Sequence, residues 1–107
     1  MSVEHQFATV SAKLLAGKAT VERGRMLSAP GLKTSGKFFA FASGEDLCVK
    51  LPSARVSDLL ATGAGRPCEP RRGSPMREWV RLTPPDEEAC AAYVTEALDF
   101  VAIQQRS

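Results

Sequence analysis

The apolar residues of this chain follow two different periods. Val3, Phe7, Val10 and Leu14 fall at i, i+4, i+7 and i+11, one stripe of a helix, with Glu4, Gln6, Ser11 and Lys13 on the opposite side and Gly17 as a stop. In the middle of the chain the pattern changes. Gly36-Lys37-Phe38-Phe39-Ala40-Phe41-Ala42 and Leu47-Cys48-Val49-Lys50-Leu51, joined by Ser43-Gly44-Glu45-Asp46, predict an antiparallel hairpin. Strict alternation sets Phe39 and Phe41 on one face and Phe38 and Ala40 on the other, so the strand is expected inside its sheet, with Phe39 and Phe41 buried against the first and last helices. Across the turn, Leu47, Val49 and Leu51 share a face, opposite Cys48 and Lys50.

Around this hairpin the weaker signals arrange themselves. Residues 19–27 form a strand candidate in which Gly24 marks a bulge, Pro30-Gly31 reads as a turn, Leu32-Lys33-Thr34 as a short strand and Ser35-Gly36 as a tight connection. Pro52-Ser53 opens a helix of about ten residues with Val56, Leu59 and Leu60 inward and Gly63 as C-cap. The stretch from Gly63 to Pro75 is a loop with a short extended piece around Cys68, and Met76 to Leu82 alternates as a last strand. Thr83 reads as a cap hydroxyl, followed by Pro84-Pro85 and the acids Asp86, Glu87 and Glu88 at the positive end of a closing helix that runs to about Ile103. Its stripe of Cys90, Val94, Ala97 and Val101 is widened by Tyr93, Leu98 and Phe100. The fold class that follows is α+β: one domain over 1–107, an antiparallel sheet of about five strands, N- and C-terminal helices packed on it, and one short helix between strands.

At 107 residues, 44% hydrophobic and 24% charged, the chain has material for one core. No apolar run reaches the roughly 18 residues of a membrane span, and the N-terminal residues lack the pattern of a secretory signal, which makes the cytoplasm the expected location. Cys48, Cys68 and Cys90 form no C-x-x-C pair and are read as reduced, mainly structural thiols, with Cys68 the one whose basic surroundings favour a lowered pKa. The net charge of +2 conceals an uneven distribution: from Lys13 to Lys37 six basic residues face only Glu22, from Arg66 to Arg81 five arginines face Glu69 and Glu78, and the stretch after Pro84 is acidic.

Candidate chemistry is sparse. His5, the only histidine, has no nucleophile to serve, Gly63-Ala64-Gly65 lacks the remainder of a phosphate-loop pattern, and Asp86-Glu87-Glu88 is explained by the helix dipole. No catalytic residue, metal or cofactor is therefore assigned. The candidate partner-binding or nucleic-acid-binding residues are Arg71, Arg72, Arg77, Trp79 and Arg81, because guanidinium groups pair with phosphates and an indole stacks on bases.

The order of a first helix, a strand region ending in Arg25-Met26, Gly31, Gly36-Lys37-Phe38-Phe39-Ala40, Leu47-Cys48-Val49-Lys50-Leu51, Met76-Arg77-Glu78-Trp79-Val80 and a closing helix resembles the TfoX (Sxy) N-terminal-domain family and the related YjbR/MmcQ-like proteins. The likeness covers roughly residues 3 to 103 and departs from the family's glycine-rich segment at Leu27-Ser28-Ala29-Pro30-Gly31. It implies a bacterial α+β domain without catalytic activity. Full-length TfoX members regulate competence genes together with the cyclic-AMP receptor protein, a transcriptional regulator, and YjbR-like members have been likened to double-wing DNA binders. The shared motifs are framework, so no functional residue carries over. The expectation is a small non-enzymatic regulatory domain that binds a protein or, weakly, nucleic acid, and that forms a homodimer through edge strands and the broad apolar last helix. The alternative is a small-ligand module with a groove between sheet and helices, since both faces of the Phe38–Phe41 run are apolar.

Overall fold

The structure, a computed structural model, describes residues 3–17, 20–26, 29–43, 45–68 and 78–106. Its elements run α1 (Val3–Gly17), β1 (Val21–Met26), β2 (Ala29–Thr34), β3 (Lys37–Ser43), β4 (Asp46–Lys50), α2 (Ser53–Ala61), β5 (Gly65–Pro67), β6 (Trp79–Leu82) and α3 (Glu87–Arg106). All strand pairs are antiparallel, in the order β1-β2-β3-β4-β6-β5. The sixth strand, β5, is the short extended piece next to Cys68. Among the described residues, no helix is long and apolar enough to cross a membrane.

The β2–β3 connection is a two-residue turn. Ser35 (φ 52°) and Gly36 (φ 80°) both take left-handed backbone, the requirement of a two-residue hairpin turn whose twist matches its strands, and Thr34 pairs with Lys37 across it. Pro30-Gly31 is not a turn but lies within β2, facing Arg25 and Gly24 of β1. Pro30 is tolerated there because the ladder with β3 begins only at Gly31↔Phe41, leaving the proline at its end, where no donor is demanded. Gly24 marks no bulge either. Its ladder with β2 is regular, and the bulge is in β3: Leu32 pairs with Ala40 and Lys33 with Phe38, so Phe39 is the extra residue.

That one insertion decides what each aromatic does. Phe39 and Ala40 both turn to the helix-covered face, where they join Leu32, Leu47, Val49, Leu51, Val80 and Leu82 beneath Val3, Phe7 and Val10 of α1 and Cys90, Val94, Ala97 and Val101 of α3. Phe41, expected on the same side as Phe39, is buried instead on the opposite face with Cys48, Cys68 and Trp79, flanked by Ala29 and Phe38. A strand with a bulge no longer alternates strictly, and the face assignment made by counting in twos reverses beyond it.

Helix α2 sends Val56 and Leu59 into the main core, whereas Leu60, expected in the same stripe, is 38% exposed. The helix is capped at Thr62, followed by Gly63 in left-handed backbone, whose N–H donates to the Leu60 carbonyl. Gly65 lies flat under the core: a Cβ there would stand 2.5 Å from Cγ2 of Val80. At the start of α3 the cap is Asp86, not Thr83. Asp86 Oδ1 accepts from the Ala89 N–H at 2.8 Å, and Thr83 donates its hydroxyl to Asp46.

Candidate binding groove and the far face of the sheet

Two places bring polar chemistry together on this frame. The first is a groove of about 490 Å³ between α1 and the β1–β2 edge. Its position follows from the ladder. Because Val21 faces the helices, Arg23 and Arg25, two and four residues on, point to the same side of β1. Phe7, Ala8 and Ser11 form the helical wall, with Glu4 at its N-terminal end, and Pro30 and Gly31 belong to the floor. Arg23 and Arg25 are exposed, and Arg23 makes no ion pair with any described residue. Ser11 and Gln6, read from the sequence on the polar side of the first helix, are both buried, because the sheet edge covers more of α1 than its apolar stripe; Ser11 is on the same wall, and its Oγ has no hydrogen-bond partner. Leaving a buried hydroxyl unpaired costs on the order of 1–3 kcal/mol, so the fold carries a polar group here that its own packing does not satisfy.

The basic stretch from Lys13 to Lys37 is divided by this geometry. Lys13 is tied to Glu87 of α3 at 3.1 Å, and Lys33 stands over the Phe38 ring on the far face at 5.8 Å. The two arginines of β1 line the groove as its basic wall. β1 is also the last strand of the sheet, with no strand beyond it among the described residues.

The second place is the sheet face turned away from the helices. Of the candidate residues read from the sequence, Trp79 and Arg81 share this face, whereas Arg71, Arg72 and Arg77 lie outside the described residues. Trp79 is 6% exposed and its ring meets Phe41 at 5.4 Å between centroids and 49° between planes, a tilted aromatic pair that leaves no indole face for a base. Arg81 is half-buried and engaged: Nη1 donates to Asp46 Oδ2 at 3.1 Å, while Arg66 pairs with the other carboxylate oxygen. Burial, the largest single influence, weakens the charged form of Arg81, but the Asp46 hydrogen bond together with the nearby Cys48, Asp46 and Cys68 outweighs it, so the guanidinium pKa is raised. Asp46 thus joins β4 to β5 and β6.

Beside this network lie two reduced cysteines, Cys48 and Cys68, buried in one cluster. Their thiols interact: that interaction, with burial, raises the Cys48 pKa, and it lowers that of Cys68 against the effect of burial, with help from Arg81. The sequence singled out Cys68 for its basic neighbours. It held no sign that Cys48 was the neighbour that matters, because the two are twenty residues apart and meet only through the β4-β6-β5 order. The groove was likewise hidden: the excess of basic residues before Lys37 was visible, but which of them share a strand face depends on the ladder register. Compared with protein-family models, with curated proteins and with solved structures, the chain gives no match.

Proposed function

We propose that this chain is a non-enzymatic interaction domain that binds an extended acidic segment of a protein partner along the β1 edge, with side chains of that segment entering the groove under α1. One observation carries the reading: the open edge strand of the sheet is also the basic wall of the groove. An edge strand offers unpaired backbone groups to an added strand, and pockets for alternate side chains then set specificity. Arg23 and Arg25, two residues apart on one face, match the spacing at which a bound strand presents its own side chains. Phe7, Ala8 and Pro30 supply the apolar contacts.

A protein segment suits this surface better than nucleic acid. The groove is partly apolar, the one tryptophan is buried, and the net charge is only +2. The likeness of the motif order to the TfoX N-terminal domains points in the same direction, toward regulation through a partner rather than catalysis.

The test is fluorescence anisotropy with a labelled, end-blocked peptide of alternating glutamate and valine. Binding at low ionic strength that weakens with salt, is lost with the lysine-valine counterpart, and falls at least tenfold in Arg23→Glu but not in Lys50→Glu supports the reading. No binding of the acidic peptide contradicts it. In that case, a short-chain carboxylate seen at the groove favours the small-ligand alternative, and duplex DNA displaced by salt favours nucleic acid.

A further inference from the structure

The far face of the sheet holds a feature that partner binding does not use. Cys48, in the middle of β4, and Cys68, directly after β5, are 0% and 1% exposed, belong to one apolar cluster with Phe41 and Trp79, and have interacting thiols. Cys90 cannot join them, because it lies on the helix side of the sheet under α3. The fold therefore selects one pair of sulfurs out of three. The charged groups around it are Arg81, which lies opposite Cys48 in the β4–β6 ladder, and Asp46, which holds Arg81.

We propose that Cys48 and Cys68 are a reversible dithiol–disulfide site whose oxidant is a hydroperoxide. Cys68 is the attacking sulfur: it directly follows the edge strand β5, whereas Cys48 lies in the middle of β4, and Arg81 favours its thiolate. The thiolate attacks one oxygen of hydrogen peroxide, the O–O bond breaks, Cys68 becomes a sulfenic acid, and hydroxide leaves and takes up the proton released when Cys68 ionised. The Cys48 sulfur then attacks the sulfenic sulfur, its proton leaves with the departing hydroxyl as water, and the S–S bond forms. In sum, two thiols and one peroxide give one disulfide and two waters. A dithiol reductant reverses the reaction by thiol–disulfide exchange.

Access comes from the edge. β5 has only three ladder residues and pairs, among the described residues, with β6 alone, and Arg66 and Pro67 are exposed, so local opening of this strand at its Arg66–Pro67 end uncovers Cys68. The disulfide then fixes β5 to β4 across β6. Oxidation acts as a latch on that edge.

The experiment treats the folded, reduced protein with hydrogen peroxide, blocks remaining thiols with a maleimide after unfolding, and maps the products by mass spectrometry. The result expected is a loss of two hydrogens, a cross-link joining Cys48 to Cys68, label on Cys90 alone, a raised Tm, and full reversal by dithiothreitol. In Cys48→Ser the reaction stops at Cys68, which a dimedone adduct detects. A cross-link that includes Cys90, or two thiols at positions 48 and 68 still labelled by maleimide after peroxide treatment, overturns the proposal, and the wild-type map decides this even where the serine variant fails to fold. Neither result bears on the β1 edge, so the two readings stand or fall separately.

Discussion

The ring of Phe38 occupies the space that a side chain at position 24 would need: a Cβ on Gly24 would stand 2.9 Å from Phe38 Cζ. Gly31, the direct partner of Gly24 across the β1–β2 ladder, meets the same ring, with Cε1 at 3.1 Å from its would-be Cβ. A pair of facing glycines inside two strands, normally a weakness, here forms the bed for an aromatic side chain of the third strand. The glycines hold Phe38 down on the far face while Arg23 and Arg25, on either side of Gly24, stay on the groove side.

Gly24→Ala is expected to destabilise the fold by about 1–3 kcal/mol, because the methyl forces the Phe38 ring off its seat. The loss should shrink when Phe38 is first replaced by leucine, a coupling that a double-mutant cycle of thermal melts measures directly. Equal losses in both backgrounds would show that the ring and the glycine do not interact.

Asp46 accepts from Arg81 at 3.1 Å and from the Thr83 hydroxyl at 3.2 Å, and also pairs with Arg66. Removing the acceptor leaves the half-buried Arg81 uncompensated, so Asp46→Ala should cost roughly 1–3 kcal/mol. Arg66 is 60% exposed, and Arg66→Ala should cost less than about 1 kcal/mol. Urea denaturation ranks the two; the reverse order would move the weight of the network to the surface.

Burial, with a smaller contribution from Glu87, pushes the Cys90 thiol up to about 11. The unfolded chain gives up this proton near pH 9, so between that pH and about 11 the unfolded state binds fewer protons and stability falls as pH rises. The contribution is fully present below pH 9 and amounts to roughly 3 kcal/mol at 1.36 kcal/mol per unit. Urea melts from pH 8 upward should show this decline, and Cys90→Ala should flatten it. A slope unchanged by the substitution would assign the alkaline loss to other groups.

The apolar stripes of the terminal helices and the faces of β4 and β6 were legible because nothing interrupts their periods, and the central hairpin from its two apolar runs and the polar connection between them. Val3, Phe7 and Val10 are buried as their spacing demands, and Leu47, Val49 and Leu51 share the core face opposite Cys48. What could not be read is what depends on pairing between distant strands. The extra residue at Phe39 leaves no local mark, yet it sends Phe41 through the sheet to Trp79, and Pro30-Gly31 has the composition of a turn but the neighbours of a strand. The same limit applied to function. Arginines were counted along the sequence, but Arg81 turned out to serve Asp46, whereas Arg23 and Arg25 acquire their setting only from α1 above them and the open side of β1.

The account rests most heavily on the β1 edge as a docking strand, and backbone amide NMR during titration with the acidic peptide tests it most directly. The result predicted is that shifts concentrate on residues 21–25 of β1 and on Phe7, Ala8 and Ser11 of α1, with slowed amide exchange along β1 as new ladder hydrogen bonds form, and that Arg23→Glu abolishes them. Shifts centred on β5, β6 or the Phe41–Trp79 face, or saturable binding that leaves the β1 amides unmoved, would contradict it.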